Sequence, residues 1–170
     1  MQKIKTLAFT GLRPHKLPFG FNERHAACVA LKTAIREQVI KLIEEENVLH
    51  YISGMAIGSD QICAEIVLAL KSEYPGITLE AAIPCRNQDI KWQDKDRIRY
   101  RRILEMCDSI HIVSESYTSN CMMARNQYMA NKCDILVAIW DNKPGGTGNT
   151  VRFAREYGKE IIIINPKNYR

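Results

Sequence analysis

A glycine-rich stretch near the end of the chain, Pro144-Gly145-Gly146-Thr147-Gly148, has the residue types and spacing of an anion site. Glycine lets the backbone approach a ligand closely and adopt positive φ. The stretch follows an apolar run over residues 135–140 and precedes an amphipathic segment that reaches Tyr157. This order predicts a strand, a turn and a helix, whose N-terminus offers unpaired N–H groups and a positive dipole end. The turn therefore predicts a site for phosphate or another anion.

The turn matches neither of the common phosphate-binding fingerprints. The glycine and lysine spacings of a P-loop and of a dinucleotide-binding motif are both absent. A purely structural strand-to-helix turn is the alternative interpretation. We predict Gly145, Gly146, Thr147 and Thr150 as the phosphate cradle.

Apolar runs alternate with helical periodicity along the whole chain. The runs predict six strands, at residues 5–10, 48–53, 78–83, 109–113, 135–140 and 160–164. The helices between them are predicted over residues 22–46 with Asn22 as N-cap, from about 60 to 74, over 92–106 and 122–131, and from the glycine turn to about 158. The alternation predicts a single domain over residues 1–170, a three-layer α/β/α Rossmann-like sandwich with a mainly parallel sheet. Right-handed crossovers predict helices on alternate sides.

Ligands of open α/β sheets bind outside the carboxyl ends of the strands, so the residues at those ends are the site candidates. We predict that the site residues after the first two strands are Thr10, Gly11, Arg13, Gly54, Gly58, Ser59 and Asp60. Arg13 can pair with phosphate or be a surface arginine. Asp60 can contact a ribose hydroxyl or cap a helix. Trp92 can stack on a base or belong to the core, and His15 lacks a catalytic partner.

Composition excludes several classes of protein. The chain of 170 residues is 46% hydrophobic and 25% charged, as in soluble globular proteins. A signal peptide and a membrane-length apolar run are absent, so we expect a cytoplasmic protein with no membrane partner. Six cysteines without CxxC predict buried thiols, and the lack of HxH or HExxH predicts no metal. The charge of +5 has its densest source in residues 86–102, which include Arg97, Arg99, Arg101 and Arg102. This run is either a solvated helix face or a patch for phosphate or nucleic acid.

Several motifs together resemble a known superfamily. Ser53-Gly54-Met55-Ala56-Ile57-Gly58-Ser59-Asp60 resembles a loop of the bacterial DNA-processing protein DprA. Arg125-Asn126-Gln127-Tyr128-Met129 and Gly145-Gly146-Thr147 are similar to the two motifs of LOG proteins. The chain is thereby identified as a member of the SLOG superfamily of Rossmann-like domains. The chain resembles the YpsA-like branch of this superfamily over nearly its whole length, and the matching residues include Gly11-Leu12-Arg13-Pro14 and Gln88 with Trp92.

The resemblance implies a pocket for a nucleotide or a nucleotide derivative, ADP-ribose-like or NAD-derived, with Arg125 and Asn126 among its ligand-binding residues. It also implies a ligand sensor or binding module. One departure bears on catalysis, because LOG hydrolases carry a motif threonine and glutamate where this chain has Asn149 and Arg152. An arginine neither activates water nor stabilises a developing ribosyl cation. Glu156 lies one helical turn further along.

Three functional hypotheses follow. The leading one is a cytosolic protein that binds a nucleotide, and it assigns no catalytic residue. The alternatives are a nucleotide N-glycosidase or phosphoribohydrolase-like enzyme and a single-stranded nucleic-acid binder. The second alternative is weaker because few aromatic side chains stand among the arginines. The sequence leaves the identity of the ligand open, and also the oligomeric state, including a homo-oligomer.

Overall fold

A computed structural model describes residues 1–170 and contains six β-strands and five α-helices. The strands are β1 (Lys5–Gly11), β2 (Val48–Ser53), β3 (Thr78–Cys85), β4 (Ser109–Ser114), β5 (Ile135–Ile139) and β6 (Glu160–Ile164). The helices are α1 (Ala26–Glu46), α2 (Ser59–Leu70), α3 (Asp94–Met106), α4 (Cys121–Lys132) and α5 (Gly146–Glu156). Short 3₁₀ helices cover Pro14–Lys16 and Pro166–Asn168.

All six strands are parallel and lie in the order β4-β3-β2-β1-β5-β6. The predicted Rossmann-like α/β fold is confirmed. From β1 the chain moves outward through β2, β3 and β4, and then crosses back to β5 on the other side of β1. The two directions diverge at β1 and β5, which creates a crevice at the carboxyl ends of these strands.

The helices divide between the faces of the sheet in two groups. One group contains α1, α2 and α3, which contact one another in sequence, and the other contains α4 and α5, which pack together. The predicted alternation of sides is therefore wrong. Right-handed crossovers that all move in one direction stay on one face. The crossover from β4 back to β5 reverses the direction, which places α4 and α5 on the other face.

The first helix also begins later than its sequence predicts. Asn22 is not its N-cap, because the Asn22 side chain accepts a hydrogen bond from the N–H of Arg24 at 3.2 Å within a preceding turn. The cap is His25, whose Nδ1 accepts from the N–H of Ala27 at 3.1 Å. A short polar side chain satisfies a turn as readily as a helix end, which makes such boundaries ambiguous in sequence.

The core lies on both faces of the central strands. Every residue of β5 is buried, whereas the edge strands β4 and β6 are partly exposed. The six cysteines are free, and all are buried except the partly buried Cys107, which confirms the prediction of buried thiols. None of the helices combines the length and the apolar composition needed to span a bilayer.

Candidate functional site

The crevice between β1 and β5 holds a cavity of about 780 Å³. Its walls come from the end of β1 and the loop that follows, from α4, from the glycine turn before α5, and from the C-terminal 3₁₀ helix. The predicted site residues that line it are Thr10, Gly11, Arg13, Asp60, Arg125, Asn126, Gly145, Gly146 and Thr147. Residues far apart in sequence thus meet in a space within the size range of small-molecule sites.

Gly54, Gly58 and Ser59 support the cavity from behind. The Ser59 hydroxyl donates a hydrogen bond to the carbonyl oxygen of Leu12 at 2.7 Å, and the Ser59 N–H donates to the same oxygen. These contacts fasten the loop after β1 to the start of α2. Gly58 precedes α2, and Gly54 lies between Arg125 and Asp60.

Thr150 and Trp92 do not line the cavity. Thr150 is fully buried, and its hydroxyl donates to the carbonyl oxygen of Gly146 at 3.1 Å. Its side chain is one helical turn beyond the first residues of α5 and faces inward. Trp92 packs edge-on against Tyr100, with the ring centroids 5.1 Å apart. The structure therefore places Trp92 with the partly buried side chains around the core.

The glycine turn presents a helix N-terminus to the cavity. Gly145 is the N-cap of α5, has a φ of 154° that favours glycine, and supplies no capping side chain. The first N–H groups of α5 therefore lack partners within the helix. A Cβ on Gly146 would meet no atom within 4 Å, so this residue borders open space. The Thr147 side chain beside it is largely buried and lines the cavity.

Arg125 forms the charged floor of the cavity and is only 4% exposed. Its Nη1 donates to the carbonyl oxygen of Gly54, and its Nε donates to Oδ1 of Asn126 at 3.0 Å. These acceptors are neutral. Burial lowers the pKa of the Arg125 guanidinium, and the nearby carboxylate of Asp60 opposes this shift.

Asp60 is the carboxylate of the cavity floor. It is 6% exposed, and its Oδ2 accepts a hydrogen bond from the N–H of Ala56 at 3.2 Å. Burial raises the pKa of the Asp60 carboxyl, and the positive charge of Arg125 partly offsets that shift. Asp60 and Arg125 therefore balance each other electrostatically across Gly54 without a direct ion pair.

Three lysines and Asp141 also line the cavity, and sequence reasoning missed them. The lysines are Lys16, Lys143 and Lys167. Lys167 pairs with Asp141 at 3.1 Å. Burial favours the protonated form of Asp141, but the hydrogen bonds from Lys167 and from the N–H of Lys143 hold its pKa below the usual value. A count of charges beside each predicted strand end would have found Lys16 and Lys143.

The position of the LOG glutamate lies outside the cavity. Arg152 is exposed, and its Nη1 is 3.6 Å from Oε1 of Glu156. Its guanidinium also lies over the ring of Phe153 at 5.0 Å. Neither Arg152 nor Glu156 lines the cavity, so Asp60 and Asp141 are the carboxylates available there.

The arginines of α3 lie within ion-pair distance of carboxylates. Arg97 and Arg101 approach Asp89 at 3.6 and 3.2 Å. Arg99 pairs with Glu23 and Glu65, and Arg102 lies 3.6 Å from Glu65. None of these arginines lines the cavity. This helix face is a network of ion pairs rather than an open patch of positive charge.

Sequence comparison places the chain among a group of bacterial proteins. The sequence profile of the YspA SLOG family matches residues 7–164. A UPF0398 protein of Halalkalibacterium halodurans is 31% identical over 170 residues, with 96% of this chain and 89% of the relative covered. The SPbeta prophage-derived protein YoqJ of Bacillus subtilis is 28% identical over 157 residues, which cover 84% of this chain and 92% of YoqJ.

Solved structures of DprA share the fold. The Streptococcus pneumoniae protein superposes with a TM-score of 0.60 at 21% identity, over 96% of this chain and 51% of that protein. The Helicobacter pylori protein, which binds single-stranded DNA, superposes with a TM-score of 0.64 at 19% identity. The superposition covers 95% of this chain and 65% of that protein. The chain thus spans about half to two thirds of these DprA proteins. The family match, which covers most of the residues, confirms the predicted superfamily, and the chain belongs to the YspA SLOG family.

Proposed function

We propose that this protein binds a nucleotide or a nucleotide derivative in the cavity and acts as a binding module, such as a ligand sensor. The observation that carries the proposal is the convergence, in one cavity, of free N–H groups at the start of α5 with the largely buried side chains of Thr10, Asp60 and Thr147. These groups can donate hydrogen bonds to a bound ligand or accept them from it.

The phosphate would lie at the start of α5. The unpaired N–H groups and the helix dipole favour an anion there. The Thr147 side chain lines the cavity, and its hydroxyl can donate a hydrogen bond to the same group. Gly146 leaves the approach open.

The cavity floor is suited to the sugar. Asp60 uses Oδ2 for the N–H of Ala56, which leaves Oδ1 free to accept from a hydroxyl group. Thr10 is 6% exposed, lines the same floor, and has a hydroxyl with no partner in the chain. A carboxylate that accepts hydrogen bonds from ribose hydroxyls is a recurrent device in Rossmann-like sites. Met122, Met129 and Trp140 add an apolar wall against which a base would pack.

The surroundings of the two cavity carboxylates, Asp60 and Asp141, favour ligand binding without bond cleavage over hydrolysis. A glycosidic hydrolase needs a carboxylate that activates water or stabilises the cation. Asp141 is held by Lys167, and Asp60 lies beside Arg125. Arg152 occupies the LOG glutamate position and faces solvent.

A thermal-shift panel of nucleotides tests the proposal. At least one member should raise the free energy of unfolding, by about 4 kcal/mol when its concentration is a thousand times its dissociation constant. Gly146→Asp places a carboxylate where the phosphate would lie and should abolish the shift. Gly76→Asp, at a glycine with equally open surroundings, is the matched control and should retain it. A panel without any stabiliser, or a shift that survives Gly146→Asp, would contradict the proposal.

Single-stranded nucleic acid is the second candidate, favoured by the fold shared with the DprA of H. pylori. The arginines of α3 give it little support because carboxylates pair with them. Nucleic-acid binding would then have to use the cavity mouth and would weaken steeply with salt. A gel shift with a single-stranded oligonucleotide at low salt tests it, and a blank result removes this candidate.

A further inference from the structure

The strand β4 forms one edge of the sheet and pairs only with β3. We propose that this edge binds a second copy of the chain. The two β4 strands would lie antiparallel about a twofold axis, so that one sheet continues through both copies. Because β3 and β2 separate β4 from β1, such a dimer leaves the cavity between β1 and β5 open and is independent of what that cavity binds.

The β4 edge lacks the usual protection against a further strand. Each residue of β4 is exposed or partly exposed, and Ile110 is 48% exposed. The strand contains no lysine, aspartate, glutamate or proline, and no bulge interrupts its register with β3. Charged residues, proline and bulges are the features by which edge strands avoid pairing with another chain. Their absence leaves β4 competent to pair.

The hydrogen bonds to β3 determine which backbone groups of β4 point outward. The N–H of Asp108 donates to the carbonyl oxygen of Leu79 at 2.8 Å. Since successive residues of a strand direct their backbone groups to opposite sides, the even-numbered residues of β4 bond to β3. The N–H and C=O groups of Ser109, His111 and Val113 therefore point away from the sheet, where a further strand can bind them.

A twofold axis at His111 uses all of these outward groups. Residues opposite each other in an antiparallel pair lie on the same face of the sheet, so a symmetric pair of identical strands must be centred on one residue. With His111 at the axis, Ser109 lies opposite Val113 of the second copy. On the other face Ile110 lies opposite Ile112 of the second copy. Apolar cross-strand pairs of this kind stabilise sheets.

The charges at the two ends of β4 are complementary under the same symmetry. Before the strand Lys71 pairs with Asp108 at 2.6 Å, and after it Arg86 pairs with Glu115 at 2.9 Å. Because the two strands run in opposite directions, the first ion pair of one copy lies beside the second ion pair of the other. Lys71 can then approach Glu115 of the second copy, and Arg86 can approach its Asp108. Neither end brings together an excess of like charge, which would oppose association.

The opposite edge of the sheet, β6, is less suited to pair with itself. The N–H of Glu160 donates to the carbonyl oxygen of Asp134, so the even-numbered residues of β6 bond inward. Only Ile161 and Ile163 then direct their backbone groups outward. An axis that uses both of them places Glu160 opposite Ile164 of the second copy, where its carboxylate has no partner.

Sedimentation equilibrium of the full chain tests the dimer. The wild type should have twice the mass of a single chain. Ile110→Lys places an ammonium group against Ile112 of the second copy and should weaken dimerisation by at least about tenfold. Since Ile110 is half exposed, this variant should melt near the wild-type temperature. Ile163→Lys is the matched control, because Ile163 is an exposed isoleucine on β6, and it should remain dimeric.

Cysteine cross-linking tests the register. Opposite Cα atoms in a hydrogen-bonded antiparallel pair are about 5.5 Å apart, which suits a disulfide. His111→Cys should therefore form a covalent dimer with oxidised glutathione. Ser109→Cys should not, because the two copies of position 109 would lie more than about 10 Å apart. The native cysteines are buried or partly buried, so the wild type should stay uncross-linked.

Four results would overturn the β4 dimer. They are a wild type that stays monomeric at about 1 mM, a dimer that persists in Ile110→Lys, a dimer lost in Ile163→Lys, and cross-linking of His111→Cys no stronger than that of Ser109→Cys.

Discussion

Arg125 on α4 donates a hydrogen bond to the carbonyl oxygen of Gly54 at the end of β2. A Cβ on Gly54 would lie 2.7 Å from Nη1 of Arg125 and 2.9 Å from Oδ2 of Asp60. The guanidinium and the carboxylate therefore approach this backbone more closely than any side chain at position 54 allows. Two sequence motifs that are far apart in the chain meet at this contact.

Gly54→Ala should disturb both charged groups of the cavity floor. The added methyl group must displace Arg125 or Asp60, and overpacking of this kind costs about 1–3 kcal/mol. We expect a lower free energy of unfolding by urea titration, together with weaker nucleotide binding. Gly76→Ala, which adds a methyl group in open space, is the control. Wild-type stability and affinity in Gly54→Ala would show that the floor is not tightly constrained.

Arg125 and Asp60 should be energetically coupled. Each group is buried, and removal of either leaves the other without its balancing charge. Arg125→Met, Asp60→Asn and the double variant form a mutant cycle measured by urea denaturation. We expect an interaction free energy of about 0.5–3 kcal/mol, as for residues that belong to one electrostatic network. Strictly additive effects would contradict the proposed balance of charges.

Glu80 should make stability depend on acid pH. Its carboxylate accepts hydrogen bonds from Tyr128 and pairs with His50 at 2.9 Å. Burial favours its neutral form, but these partners hold the pKa of Glu80 below the usual 4.5. The stability it contributes is therefore present above pH 4.5 and is lost as the pH falls through its lowered pKa.

Glu80→Gln tests this dependence. At neutral pH the substitution should lower the free energy of unfolding by about 1–3 kcal/mol, because the bonds to a charged acceptor are weakened. The difference from wild type should shrink below pH 4.5, where the wild-type carboxylate also becomes protonated. Denaturation curves between pH 3 and 7 provide the comparison. A difference that stays constant over this range would be evidence against the lowered pKa.

Arg152→Glu should not create a hydrolase. The substitution supplies the residue type that LOG enzymes carry, but the side chain at position 152 is exposed and outside the cavity. It would also place a carboxylate one turn from Glu156, which costs a few tenths of a kcal/mol. Chromatography after prolonged incubation with nucleoside monophosphates should show no released base. Turnover by this variant would mean that α5 rotates relative to the cavity.

Local signals in the sequence were enough for the strands, the central parts of the helices and the glycine turn, but not for the start of α1. The run at residues 135–140 and the glycines after it determine their conformation with little help from the rest of the fold. Thr150 was predicted in the cradle because sequence spacing does not show on which face of α5 a side chain lies. Its hydroxyl instead bonds to the carbonyl oxygen of Gly146.

Other features depend on strand order, which a single sequence does not specify. Lys16 and Lys167 reach the same cavity only because β1 and β6 flank β5 in the sheet. The distribution of helices between the faces follows from the same order. The sequence left base stacking open for Trp92 because its contact with Tyr100 forms only in the folded chain, where the loop before α3 packs against that helix.

The most direct test of the central claim is an NMR titration that follows backbone amide signals while ADP is added. Binding of a phosphate at the start of α5 should shift the amide signals of Gly146, Thr147 and Gly148 most strongly and to saturation. In Gly146→Asp, those shifts should be lost. Amide signals at the start of α5 that stay unchanged at saturating ADP, or largest shifts on α3 instead, would contradict the claim that this turn holds a phosphate.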